Sequence, residues 1–138
     1  MQYWLLKSEP ETYSWENLEA EKNAVWDGVR NYQARNFLQK MLVGDLALFY
    51  HSGKQKQVVG ICRITKEHYP EPGQENPTWV AVETAPVAAL KYPVSLSIIR
   101  NIPQLEHILL VRHTRLSVMP LTESEFSTII QLGNPNTP

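Results

Sequence analysis

Residues 46–64 read LALFYHSGKQKQVVGICRI and contain two apolar stretches around a polar centre. Residues 46–50 and 57–64 are rich in the aromatic and β-branched side chains that are typical of strands. Between them, residues 51–54 (HSGK) include the serine and glycine that favour a turn. This pattern predicts a β-hairpin.

Three further strands are predicted on either side of the hairpin. Residues 2–7 place large apolar side chains on both faces, as in a buried strand, and Pro10 ends the stretch. Residues 78–87 form a Trp- and Val-rich strand, and residues 116–119 form a short one. Residues 69–77 hold three of the ten prolines and predict an irregular loop.

Helices are predicted where a capping residue precedes apolar side chains at helical spacing. Ser14 and Asn31 have the hydroxyl or amide oxygen that accepts from the free N–H groups of a first turn. Thr122 and Glu125 have the spacing of a capping box. In chain order, the predicted helices cover residues 14–20, 31–41, 95–101, 105–110 and 122–133.

Chain length limits the domain organisation. With 138 residues, 43% of them hydrophobic, the chain can form one core and is too short for two ordinary domains. We expect a single mixed α+β domain over residues 1–133, built on a small curved or closed sheet. Residues 134–138 are expected to form a frayed tail.

The composition argues against several classes of protein. The single cysteine, Cys62, has no partner for an internal disulfide, which favours a reducing compartment. No apolar run approaches the roughly 20 residues that span a bilayer. The opening residues, MQYWLLKSEPE, lack the basic segment of a secretion signal. We therefore expect a soluble cytoplasmic protein, or a nuclear one in a eukaryote, without a membrane partner.

Charge is unevenly distributed along the chain. The formal net charge is only -1, which argues against nonspecific coating of nucleic acid by a strongly basic protein. Residues 28–66, however, contain seven lysines and arginines and one acid, Asp45. Aromatic residues lie among these cations, as a phosphate-binding surface beside a base-stacking surface requires. The alternative is a solvated helix face followed by a lysine-rich turn.

Motifs for metal or cofactor chemistry are absent from the sequence. The four histidines show no spacing typical of a zinc site, and neither a phosphate loop nor a dinucleotide fingerprint occurs. We expect no metal and no cofactor. One enzymatic alternative stays open, in which Asp27 or Glu9 is a general base with His51. Cys62 is expected to be a buried, inert thiol.

Four polar and aromatic segments flank the apolar strands. They read KSEP at residues 7–10, WDGVRNYQARN at residues 26–36, YHS at residues 50–52 and RLSVMP at residues 115–120. Together they resemble the EVE domain family, in the family's order and over essentially the whole chain. The resemblance implies a PUA-like fold, a small mixed β-barrel flanked by helices with a nucleobase pocket at one end. The same superfamily contains the YTH readers of N6-methyladenosine.

The resemblance also implies roles for individual residues. A pocket for a flipped base needs an aromatic plane, hydrogen-bonding groups at the base edge, and cations outside for the phosphates. By similarity, Trp26 is a wall of the pocket and Asn31 bonds the base edge. The implied ligand-binding residues are Lys7, Ser8, Trp26, Arg30, Asn31, Tyr50, His51, Ser52, Arg115 and Ser117. The implied phosphate-binding residues are Arg30, Arg35, Lys54 and Arg115.

Each of these roles has a structural alternative. Trp26 is also suited to the core, Asn31 to helix capping and Tyr50 to filling the barrel. An arginine of the set is equally suited to pairing with Glu9 or Asp27. The other tryptophans lie in apolar periodic segments and are assigned to packing: Trp4, Trp15 and Trp79.

Two departures from the family pattern bear on ligand choice. The loop between residues 69 and 79 is shorter than the usual insertion, and Met119 stands where glutamine is common. The leading hypothesis is a non-catalytic reader, favoured as a monomer, that takes a modified base of DNA or RNA into the Trp26 pocket. The alternatives are an enzyme acting on a modified base or nucleotide, such as a glycosylase or hydrolase, and an RNA-binding module that ignores modification.

Overall fold

A six-stranded mixed sheet forms the centre of the computed structural model, which describes residues 1–135. The strands are β1 (Tyr3–Ser8), β2 (Ala24–Trp26), β3 (Leu46–His51), β4 (Gln57–Pro70), β5 (Val80–Ser95) and β6 (Val118–Leu121). Their order across the sheet is β2-β5-β4-β3-β1-β6. β1 runs parallel to β3, and the other neighbours are antiparallel.

Within residues 1–135, five α-helices and one 3-10 turn surround this sheet. The helices are α1 (Trp15–Glu21), α2 (Tyr32–Leu38), α3 (Leu96–Arg100), α4 (Leu109–Arg112) and α5 (Glu123–Gly133), and the 3-10 turn is Pro103–Leu105. The predicted caps are confirmed, since Ser14, Asn31 and Thr122 each accept a hydrogen bond from a first-turn backbone N–H. No helix among residues 1–135 is long and apolar enough to cross a membrane.

The expected β-barrel is wrong, because the sheet is open. Within the described chain, β2 hydrogen-bonds only to β5 and β6 only to β1, so these two edge strands do not meet. Helix α2 packs against both β5 and β6 and covers part of the opening.

The predicted hairpin is confirmed as β3 and β4, but two strands are longer than expected. β4 continues beyond residue 64 into the first two residues of the predicted loop and ends at Pro70, and β5 continues to Ser95. The β4–β5 pairing has four register shifts, and Pro86 lies at one of them. A proline is tolerated at such a bulge because the ladder there has no donor to lose.

The C-terminal segment departs in part from the expected pattern. Residues 105–110 are not one helix but the end of the 3-10 turn followed by the start of α4. Asn134 is tied to the sheet, because its side-chain oxygen accepts from the backbone N–H of Lys91 at 2.9 Å. Residues 136–138 of the predicted tail lie outside the described residues.

The core is centred on aromatic contacts between α1 and the sheet. Trp15 and Trp26 both meet the Phe49 ring edge to face, with centroids 5.5 Å and 5.6 Å away. Gly60 on β4 makes room for Trp15, since a Cβ there would lie 2.6 Å from the indole. A side chain at position 60 would therefore force the Trp15 ring to shift.

A buried carboxylate fixes the start of the parallel β1–β3 pair. Asp45 accepts hydrogen bonds from Trp4 Nε1 at 3.0 Å and from the backbone N–H groups of Gln2 and Leu42. Burial alone would raise the pKa of Asp45, but these hydrogen bonds hold it below its ordinary value. The resulting register places Lys7 beside Tyr50 and Ser8 beside His51 at the far end of the strands.

Candidate nucleobase-binding site

A cavity of about 630 Å³ lies in the opening between the end of β2 and the start of β6. We call it the main cavity. Its lining comes from residues 7–9 and 12–13 at and after the end of β1, residues 25–31 of β2 and the following loop, and residues 115 and 117 before β6. Because β2 and β6 are the two edges of the sheet, the cavity exists where the barrel fails to close.

The aromatic surface of the main cavity is a corner made of two rings. Trp26 lies at the end of β2 with 8% of its surface exposed, and Tyr13 meets it at 86° with centroids 6.2 Å apart. The hydroxyl of Tyr13 donates to Glu21 Oε2 at 3.1 Å. Burial, together with this carboxylate, raises the pKa of Tyr13 to about 12, so the phenol is neutral at pH 7. Because Trp26 is mostly buried, only part of its ring faces the main cavity, and the Tyr13 ring supplies the rest of the aromatic wall.

The loop after β2 is held by a carboxylate from the distal end of β4. Glu71, 5% exposed, accepts a hydrogen bond from the backbone N–H of Gly28. Both of its oxygens also accept from the Arg30 guanidinium, at 2.7 Å and 3.1 Å. Gly28 has φ +76°, in the left-handed region that other residues rarely adopt, so the loop needs this glycine to turn. The pKa of Glu71 is lowered by Arg30 and by Gly28, although burial opposes the shift.

The opposite wall carries groups whose hydrogen bonds are partly used. Lys7 Nζ donates to the Thr114 carbonyl at 2.8 Å, and burial lowers the pKa of Lys7. The Ser8 hydroxyl donates to the Tyr13 carbonyl at 2.6 Å, which positions the aromatic corner. The Ser117 hydroxyl, by contrast, bonds to no other residue in the described chain.

The Asn31 side chain both caps α2 and lines the main cavity. Its side-chain oxygen accepts from the Ala34 backbone N–H at 2.9 Å and so caps α2. Its side-chain NH2 group bonds to no other residue among residues 1–135, and Asn31 lines the main cavity. Helix capping and ligand binding are therefore compatible roles, because they use different atoms of the amide.

Seven of the ten predicted ligand-binding residues line the main cavity: Lys7, Ser8, Trp26, Arg30, Asn31, Arg115 and Ser117. Tyr50 and Ser52 line a separate hollow, which also contains Lys7. Among the predicted phosphate-binding residues, Arg30 and Arg115 border the main cavity and Lys54 lies at another hollow. Arg35 lies outside all of these and donates to the Thr78 carbonyl at 3.3 Å.

His51 is placed away from the main cavity. It is 3% exposed, and its Nε2 accepts a hydrogen bond from the Trp15 backbone N–H at 3.0 Å. The Nδ1 atom lies 2.8 Å from Gln55 Oε1, so this network assigns the ring proton to Nδ1. Both ring nitrogens are thus occupied, and the fold does not bring His51 together with Asp27 in the main cavity.

Arg30 and Arg35 are positioned by two aromatic rings that the sequence did not single out for a site. The Arg30 guanidinium lies 5.1 Å from the Trp79 ring, and Arg35 lies 5.3 Å from the Tyr32 ring. Trp79 and Tyr32 in turn are 5.2 Å apart. Trp79 is thus a packing residue as expected, but it packs at the surface, where it positions Arg30 beside the main cavity.

Two residues important to the site escaped the sequence interpretation. Glu71 lies in a proline-rich segment without periodicity, and its partners are 41 and 43 residues away. Tyr13 precedes a helix cap, where an aromatic residue is unremarkable. The KSEP segment of the family motif was the one available signal for Tyr13, since Ser8 of this segment bonds directly to the Tyr13 carbonyl.

Among residues 1–135, no group of three His, Cys, Asp or Glu side chains is placed to hold a metal ion.

Comparison with known proteins supports the predicted family. The EVE domain model matches residues 2–132. Thymocyte nuclear protein 1 of Gallus gallus is 38% identical over 164 residues, covering 94% of this chain and 68% of that protein. The crystal structure of human THYN1 protein in complex with 5-methylcytosine containing DNA superposes with a TM-score of 0.91 at 35% identity, covering 100% of both chains.

A more distant structure shares the fold alone. The YTH domain of Zygosaccharomyces rouxii MRB1 protein, solved in complex with N6-methyladenosine RNA, has a TM-score of 0.58 and 12% identity. It covers 96% of this chain and 86% of that domain. The relation to YTH domains that the sequence predicted is therefore confirmed at the level of the fold.

We expect Glu71→Gln to loosen the loop at residues 27–31, because an amide replaces one acceptor of the Arg30 guanidinium with a donor. The expected loss is about 1–3 kcal/mol in the free energy of unfolding, measured by urea denaturation. Glu75→Gln, an exposed neighbour in the same segment, is the control and is expected to match the wild type.

The wild type and Glu71→Gln can also be compared as a function of pH. Because the pKa of Glu71 is lower in the folded than in the unfolded chain, its contribution is complete above the unfolded value of about 4.3. That contribution disappears as the pH falls through the folded value. The stability difference between wild type and Glu71→Gln should therefore be constant near neutral pH and narrow between about pH 5 and about pH 3. A difference that stays constant over this range would contradict the assigned role.

Proposed function

Because the chain belongs to the EVE domain family, we propose that it is a non-catalytic nucleic-acid reader that takes a modified base into the main cavity. A DNA strand containing 5-methylcytosine is the first ligand to test, since the human relative was solved with such DNA. The location of the cavity, between an aromatic corner and a wall of hydrogen-bonding groups, is the observation that carries this proposal.

The size and chemistry of the main cavity suit a single nucleoside. Its volume of about 630 Å³ lies within the range of about 300–1,000 Å³ that small-ligand sites occupy. Trp26 and Tyr13 offer π surface to the base, and Asn31 NH2 and Ser117 OH offer hydrogen bonds to its edge. Arg115 at the border supplies a cation for an adjacent phosphate.

The enzymatic alternative lacks a catalytic arrangement in the described chain. Asp27 and Glu9 line the main cavity as exposed carboxylates, but His51 is buried against Trp15 and Gln55. Burial raises the pKa of the Cys62 thiol to about 12, so this residue is not a reactive thiolate at pH 7. We therefore propose binding without turnover. The monomeric state, the domain limits and the cellular compartment stay predictions from the sequence.

Trp26→Leu and Trp15→Leu form a matched pair that tests the proposal. Both tryptophans are buried and both meet Phe49 edge to face, but only Trp26 lines the main cavity. We expect both substitutions to lower stability, since each removes buried ring surface. Only Trp26→Leu is expected to weaken binding of a 5-methylcytosine oligonucleotide by about tenfold or more, measured by fluorescence anisotropy.

Three outcomes decide this test. Discrimination between methylated and unmethylated oligonucleotide that persists in Trp26→Leu would contradict the location of the site. Equal losses of affinity in the two variants would assign the effect to stability alone. Released base, detected by mass spectrometry after long incubation of the wild type, would favour an enzyme.

Asn31→Ser separates capping from base recognition. A serine at this position retains an oxygen that caps α2, but it lacks the amide NH2 group. We expect thermal stability close to wild type and affinity for the modified oligonucleotide lower by about tenfold. Asn31→Ala, the comparison variant, should lose affinity and also about 1 kcal/mol of stability. Full affinity in Asn31→Ser would contradict the contact with the base edge.

A further inference from the structure

Two hollows continue from the main cavity along the surface of the protein. The first, of about 190 Å³, is lined in part by Lys7, Tyr50, Lys56 and Arg100, and we call it the junction hollow. The second, of about 340 Å³, is lined in part by Lys54, Lys56 and Arg100, and we call it the turn hollow. Shared residues connect the three spaces.

The connection runs through three cations. Lys7 lines both the main cavity and the junction hollow. Lys56 and Arg100 line both the junction hollow and the turn hollow. Neither hollow has an aspartate or glutamate among its lining residues within the described chain. The main cavity, in contrast, is bordered by both Glu9 and Asp27.

These cations are not neutralised by acids elsewhere in the described protein. The ion pairs among residues 1–135 are Arg30–Glu71, Lys66–Glu83 and His107–Glu106. Lys54, Lys56 and Arg100 are exposed and belong to none of them. Placing like charges around a common hollow costs electrostatic free energy, which a bound anion would offset.

The backbone holds this arrangement in place although its members are far apart in sequence. Lys56 adopts a positive φ of 49°, and its carbonyl oxygen accepts from the Leu96 backbone N–H at 2.8 Å. That hydrogen bond joins the β3–β4 turn to α3, which carries Arg100. At the junction hollow, the Lys7 ammonium lies over the Tyr50 ring, with Nζ 5.9 Å from the ring centroid.

We propose that the junction and turn hollows bind successive backbone phosphates of the nucleic-acid strand whose modified base enters the main cavity. The inference rests on the proposed function and extends it, because it assigns Lys56 and Arg100 a role and gives the strand a path across the protein. Base recognition and phosphate binding then occur in separate places. The cations set affinity, and the main cavity sets selectivity.

Salt dependence of binding tests this path. The double variant Lys56→Asn and Arg100→Gln removes two cations, and asparagine tolerates the positive φ at position 56. For a single strand, the magnitude of the slope of log affinity against log salt decreases by about 0.7 for each phosphate that the protein no longer neutralises. For the loss of two cations we therefore expect a decrease of about 1.4. Fluorescence anisotropy with a single-stranded 5-methylcytosine oligonucleotide, between about 50 and 200 mM salt, measures it.

A control variant removes the same charge elsewhere. Arg63→Gln with Lys91→Gln deletes two exposed cations that line none of the three spaces. Its slope is expected to equal that of the wild type. An equal reduction in both double variants would overturn the path, because the effect would then follow net charge. If the first variant is unstable, Lys54→Gln on the exposed turn is expected to reduce the slope by about 0.7, and an unchanged slope would overturn the proposal.

The readouts separate this inference from the proposed function. An unchanged slope in the Lys56 and Arg100 variant, with methyl discrimination retained, would overturn the path and leave the reader function intact. A reduced slope in a protein that binds methylated and unmethylated strands equally would support the path and contradict the reader function. Absence of binding by the wild type would contradict both.

Discussion

The carboxylate of Glu71 joins two parts of the chain that the sheet leaves unconnected. β2 and β6 are the sheet edges, and the loop that follows β2 has no strand neighbour to hold it. Glu71 binds Gly28 and Arg30 of this loop from the end of β4, so the cavity wall keeps its shape without a closed barrel. An opening in a sheet ordinarily exposes unpaired backbone groups. Here the loop, the carboxylate and α2 border that opening, which forms the main cavity.

Binding and selectivity are physically separable in this arrangement. In the proposed function, stacking against Trp26 and Tyr13 would accept any base, because every base has a π face. Selectivity requires groups that hydrogen-bond to a particular edge of the base. The Asn31 side chain would offer its NH2 group for this purpose, since its oxygen is already used to cap α2. A protein with a net charge of only -1 can still attract a strand, provided that its cations are grouped and its acids lie elsewhere.

Local features of the fold could be predicted from the sequence, and long-range ones could not. The β3–β4 hairpin and the caps at Ser14 and Asn31 depend on neighbouring residues, and the structure confirms them. The failure of the barrel to close depends on where the edge strands β2 and β6 lie relative to each other, and a local sequence pattern carries no signal of such a long-range placement. Family motifs indicated most of the cavity lining, but they gave no sign of Glu71, because its partners are distant in sequence. His51 was predicted to bind the ligand, and yet its ring is buried and accepts a hydrogen bond from the Trp15 backbone.

The most direct test is a nitrogen–proton NMR titration of the wild-type protein with a 5-methylcytosine oligonucleotide and with its unmethylated counterpart. The four tryptophan indole N–H signals act as internal probes, since they report from the cavity, the core and the surface. If the modified base enters the main cavity, the methylated strand shifts the Trp26 indole and the Gly28 amide signals while the signal of the buried Trp15 indole does not move. The unmethylated strand should shift them far less at equal concentration. Identical shifts with both strands, or an unmoved Trp26 signal at saturation, would contradict recognition of the base in the main cavity.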